Sequence, residues 1–185
     1  MLKEKVIEAY AFAKRKHAGQ HKKFSKLPYF VHPKAVARIV EDLTKDQDII
    51  IAALLHDTIE DTNTKYSEIR KLFGKKVADL VAELTNNEIE CKKLGKAKYL
   101  TEKMALMSSD ALVIKLADRL NNVLFLERDQ VPLEFITKYE KETRYIVTVM
   151  PRERLVVGGT LNQLHTALID MIIAVLKFLQ VRYKL

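Results

Sequence analysis

The sequence holds one cysteine, Cys91, in 185 residues, and no tryptophan. A single thiol excludes an internal disulfide framework and a cysteine-built zinc site. It suits a compartment where thiols stay reduced, so a cytoplasmic location is expected. Five glycines and four prolines are few for this length. That disfavours a sheet-and-turn architecture and favours helices. Long apolar runs are scarce as well. The opening MLKEKVIEAYAFAKRKH is amphipathic and lacks the continuous apolar stretch of a signal peptide. The most apolar tail segment, ALIDMIIAVLKFL, is short and interrupted by Asp170 and Lys177, so no membrane span is expected.

What is present is charge. The formal net charge is +8, which suggests an anionic partner. Neither zinc-finger spacing nor an RNP-like aromatic string accompanies it, so charge alone gives nucleic-acid binding little support. A phosphorylated small molecule fits the same sign.

Apolar residues recur at helical spacing almost throughout. A first helix is predicted over about 2–18, with Val6, Ala9, Tyr10, Ala13 and His17 along one side. A basic loop, GQHKKFSKLPYF, follows, and Pro33 suits the start of a second helix ending near Leu43. A third helix is expected through IIIAALLHDTIE, apolar all round and therefore central. Tyr66–Phe73 and Lys75–Leu84 read as helices split by Gly74, and 86–96 as a polar loop. Helices follow at about 97–107, 110–126 and 132–149, with Pro151 and Gly158-Gly159 as punctuation. A last helix over about 160–182 carries a near-heptad stripe of Leu161, Leu164, Leu168, Ile172, Val175 and Leu179, widened by Ile169, Ile173 and Leu176. The expected organisation is an all-α domain over 1–150 and a C-terminal helical extension over 151–185. That extension would pack on the domain or on a partner subunit, making a homo-oligomer.

The chemistry concentrates in LLHDTIED at 54–61. On one helix, His56, Asp57, Glu60 and Asp61 would share a broad face, with three carboxylates near a C-terminus that favours cations. A divalent cation would relieve that conflict. Two further donors stand elsewhere: His32, in YFVHPKAV, and Asp118, in an otherwise apolar helix where a lone acid is costly. Asn122 lies four residues on and shares its face. The candidate metal ligands are His32, His56, Asp57 and Asp118. Two imidazoles and two carboxylates suit Mn²⁺, Fe²⁺, Co²⁺ or Zn²⁺. Glu60 and Asp61 beside them argue for an open, water-bearing site.

The order H…HDxxED…D resembles the HD-domain phosphohydrolases. The stretches FAKRKHAGQHKK, LPYFVHPKAVARIV, IIIAALLHDTIEDT, FGKKVADLVAELTN and VIKLADRLNNV are most similar to the hydrolase domain of the RelA/SpoT alarmone enzymes and to the stand-alone small alarmone hydrolases. The resemblance covers about residues 8–145. It implies an HD-domain helical bundle that removes the 3′-pyrophosphate of (p)ppGpp-like nucleotides, giving GDP or GTP and pyrophosphate, with Mn²⁺ as the usual metal. By position it implies His32, His56, Asp57 and Asp118 as ligands, Glu60 and Asp61 as the catalytic pair, and Asn122 as a substrate contact. Lys22 and Lys23 stand where the family commonly has Arg-Lys, so guanine and adenine alarmones both stay open. Lys22 and Lys23 would neutralise phosphate charge, and Tyr29 would wall the base or ribose pocket. Other readings are a nucleotidase or phosphodiesterase of the same family, or a non-catalytic nucleotide sensor.

Overall fold

A computed structural model of the chain describes residues 2–127, 131–150 and 160–185. Pro151 and Gly158-Gly159 lie outside the described residues, as does the side chain of Leu161. Among the described residues there are eleven helices and no strand, with one isolated bridge between His21 and Pro28. The all-α class is as expected. The helices divide into two compact units, Met1–Asn86 and Asn87–Leu185.

In the first unit, α3 (Gln47–Leu55) is the hub, touching α1 (Leu2–Lys16), α2 (Val31–Leu43) and α6 (Lys75–Leu84). Every α3 side chain from Ile49 to Leu55 is buried, which is why its sequence lacks an amphipathic pattern. Asp46 starts it, its side chain accepting from the Asp48 amide at 2.9 Å. The predicted single helix through IIIAALLHDTIE is in fact broken. α3 stops at Leu55, and α4 (Thr58–Asp61) is one short turn beyond a kink at Asp57, with φ −97° and ψ −3°. Two side chains satisfy backbone carbonyls at the break. The Thr58 hydroxyl donates to the Leu55 carbonyl at 2.7 Å, and His56 Nδ1 lies 2.9 Å from the Ala53 carbonyl.

Pro33 sits in the first turn of α2, where its missing N–H costs nothing. Gly74 separates α5 (Tyr66–Phe73) from α6 with φ +94°, a conformation that strains any residue with a Cβ.

In the second unit, the polar stretch read as a loop contains α7 (Glu88–Leu94). None of its side chains is buried, so it shows no apolar period. Its start is nevertheless well marked: the Asn87 side chain accepts from Ile89 and Glu90 amides at 3.0 and 3.2 Å. α8 (Lys96–Leu106) touches α10 (Leu133–Val149), and α9 (Ser109–Phe125) is the buried hub, packed with α11 (Thr160–Tyr183) and α10. In α11, Leu168, Ile169, Ile172, Leu176 and Leu179 are buried. The predicted stripe is therefore turned mostly onto this unit's own core, with Leu176 taking the place given to Val175. α11 outruns the apolar segment quoted from the sequence. By length and composition alone, Gln163–Tyr183 would suffice to cross a membrane; its buried side instead belongs to a packed helix.

Leu55 is fully buried at the end of α3. Leu55→Ala is expected to cost about 2–5 kcal/mol in chemical denaturation, since the cavity lies where three helices converge.

Candidate active site

The break after α3 aims the site. His56 Nδ1 can only donate to a carbonyl, so the Ala53 contact fixes the tautomer and leaves the lone pair on Nε2. That Nε2 lies 3.1 Å from Asp57 Oδ2. His32, on the second residue of α2, brings its own Nε2 to 3.6 Å from the same oxygen. The two imidazole centroids are 5.2 Å apart and both rings are buried. Three donors thus converge in the first unit. Two buried imidazoles and a half-buried carboxylate, aimed at one point, fit a divalent transition metal.

Tyr29 backs this cluster. Its hydroxyl donates to Asp57 Oδ2 at 2.6 Å, and its ring lies 5.9 Å from His32 and 5.0 Å from His17. Tyr29 therefore touches a candidate ligand directly, a contact the sequence reading did not foresee.

Glu60 and Asp61 sit on α4, within the first turn of a new helix rather than at the end of an old one. Glu60 is held by Asn86, whose backbone amide donates at 2.8 Å and whose side-chain amide donates at 3.0–3.1 Å. The Asp61 carboxyl is pushed above the ordinary carboxylate range, chiefly by burial and then by the Asp57 charge; Tyr29 and His17 pull the other way. Gln20 links this acid to α1. Its amide donates to the Asp61 carbonyl at 2.7 Å, and its oxygen lies 2.7 Å from His17 Nδ1. Gln20 and Asn86 were not singled out from sequence, and His17 was placed there only on one side of the first helix. His17 and Gln20 at least stand at helical spacing across the end of α1; Asn86 carries no sequence signal.

The loop bearing Lys22 and Lys23 is closed by backbone bonds from Lys22 N to Leu27 O at 2.9 Å and from Tyr29 N to Gln20 O at 2.8 Å. Lys23 Nζ lies 5.0 Å from the centroid of the Phe24 ring.

In the second unit, Asp118 is buried on α9. Its carboxylate takes the Lys115 ammonium at 3.0 Å and the Asn122 amide at 2.6 Å. The i,i+4 pairing of Asp118 and Asn122 is as the sequence suggested. The Lys115 contact offsets the burial cost of the acid.

A family model described as HD domain matches residues 9–157. The chain belongs to the HD-domain family. This HD domain is 40% identical over 173 residues to the guanosine-3′,5′-bis(diphosphate) 3′-pyrophosphohydrolase of Aquifex aeolicus, covering 88% of the chain and 23% of that relative. It is also 40% identical over 126 residues to the Xenopus tropicalis enzyme of the same name, MESH1, covering 66% of the chain and 70% of the relative. Among solved structures, a metazoan ortholog of SpoT that hydrolyzes ppGpp matches with a TM-score of 0.73 and 29% identity, over 90% of this chain and 94% of that one. The HD domain thus spans under a quarter of the Aquifex relative's length and most of the short metazoan ones.

Tyr29→Phe removes the hydrogen bond that orients Asp57. Divalent-metal affinity is expected to fall by roughly tenfold to a hundredfold, read by calorimetric titration with Mn²⁺ and Zn²⁺, with the fold unchanged by circular dichroism.

Proposed function

We propose that this HD domain is a (p)ppGpp 3′-pyrophosphohydrolase, releasing GDP or GTP and pyrophosphate. The convergence of His32, His56 and Asp57 beside Glu60 and Asp61 carries the reading, in a chain 40% identical to two relatives bearing that activity in their names. His32, His56, Asp57 and Asp118 are the proposed ligands of one divalent cation, with Mn²⁺ as the proposed metal. Such a cation supplies Lewis acidity toward a phosphoryl oxygen and lowers the pKa of water.

The remaining steps belong to side chains. Glu60 and Asp61 divide the work of positioning water, taking its proton and protonating the leaving oxygen. Asn86 restricts Glu60 so that its carboxylate is already oriented. Lys22 and Lys23 neutralise phosphate charge as point cations. The ring of Tyr29 lines the nucleotide pocket while its hydroxyl stays on Asp57. Asn122, held by Asp118, contacts the substrate. The protein is proposed to act in the cytoplasm, without a membrane or nucleic-acid partner. α11 is proposed to contact a second copy of the chain. Adenine alarmones are the second reading, because Lys22, where the family commonly has an arginine, cannot stack flat on a base as an arginine does and so leaves the purine open.

Hydrolysis of ppGpp and of pppApp, with and without Mn²⁺ and with products identified by mass spectrometry, tests both readings. A metal-loaded wild type inactive on every alarmone would sink them. Glu60→Gln should keep its metal yet lose roughly 10²–10⁴-fold in kcat. Asp57→Ala should instead lose the metal itself.

A further inference from the structure

α11 has a second apolar stripe that its own unit leaves uncovered. Ala167, Met171, Ala174, Phe178 and Val181 follow one another at steps of four and three, the spacing of a coiled-coil seam. All five are exposed, with Phe178 at 46% and Val181 at 82%. The buried residues Leu168, Ile172 and Leu179 lie on another face of the same helix. In a heptad register, Met171 and Phe178 take a positions and Ala167, Ala174 and Val181 take d positions. Asp170 and Lys177, both exposed, then flank the seam at successive g positions.

We propose that this stripe pairs antiparallel with the same stripe of a second copy of the chain. The pattern is self-complementary in that direction only. In an antiparallel pair each a residue meets a d residue of the other helix. Setting Met171 against the partner's Ala174 places Phe178 against the partner's Ala167. Met171 and Phe178 each then meet an alanine, so these layers interdigitate, while Val181 meets the partner's Leu164 at the end of the seam. The same register brings g positions opposite each other. Asp170 faces the partner's Lys177, and Lys177 faces the partner's Asp170. In a parallel pair, g residues face e residues of the following heptad. Lys177 would meet the partner's Arg182, which Glu127 already holds at 3.3 Å, and so gain no acidic partner, and Phe178 would meet Phe178. Charge and volume therefore both select the antiparallel two-fold arrangement. A 24-residue helix is about 36 Å long, enough for this seam to span three heptads. The charged pair Asp170 and Lys177 beside the seam also argues for a protein surface opposite rather than lipid. This gives a face and a direction to the self-contact proposed for α11, and it is independent of the hydrolase reading.

Sedimentation velocity on the full chain over a concentration series tests it. The wild type should form a dimer. Asp170→Lys and Lys177→Asp should each weaken it by roughly tenfold, because each replaces two reciprocal attractions with two repulsions. The double variant Asp170→Lys/Lys177→Asp should restore it. Phe178→Glu should abolish it while leaving the helical circular-dichroism signal intact, since Phe178 faces away from the buried stripe. A wild type that stays monomeric throughout overturns the self-contact itself. So does one that stays monomeric and floats with phosphatidylglycerol vesicles. A dimer indifferent to both single reversals, or not restored by the double one, overturns the antiparallel seam while leaving self-contact standing.

Discussion

The first unit depends on where α3 is made to stop. Seven consecutive apolar residues are buried on all sides, so the helix cannot rotate or slide without exposing some of them. Its carbonyls at the break are taken by Thr58 and His56 side chains rather than by water. That leaves His56 and Asp57 emerging from the end of a helix buried on all sides, with the His56 tautomer set by the Ala53 carbonyl. α2 packs on the same helix and delivers His32 to Asp57. The precision of the donor cluster comes from the apolar stem behind it.

Carboxylates gather on the solvent side of that stem, and the structure handles each differently. Asp57 is tied by Tyr29 and by two imidazoles. Glu60 is clamped by Asn86 from backbone and side chain. The proton affinity of Asp61 is raised, by partial desolvation and by the neighbouring Asp57 charge. A divalent cation beside Asp57 would act in the opposite direction, stabilising both charges. The acids therefore differ in restraint and in electrostatic setting, although they stand side by side in the sequence.

Much of this could be read from residues alone, for physical reasons that vary by element. α3 announces itself because a buried hub is apolar on every side, and α9 because its apolar residues recur at helical spacing. Asp118 stands out because an acid in such a helix needs a partner, and Lys115 and Asn122 supply it. The HD pair with Glu60 and Asp61 is legible because its spacing is dense in ligating groups. The kink at Asp57 is not, since no glycine or proline marks it and nothing in composition reports a one-residue change of φ and ψ. α7 escapes because a helix with no buried face has no period to detect; only Asn87 hints at its start. Asn86 and Gln20 reach the site by tertiary contact, which no local pattern encodes.

α3 is marginal on its own. At nine residues it is well below the length at which an isolated helix persists in water. It exists only while α1, α2 and α6 are packed around it. His56 and Asp57 are therefore held in ligating geometry only in the folded unit, and an unfolded chain offers those donors scattered. Ion occupancy and folding are then two faces of one linked equilibrium. An ion held at a hundred times its dissociation constant would add about 2.7 kcal/mol to the unit's stability. The apolar stem and the polar cluster would stabilise each other through that shared equilibrium.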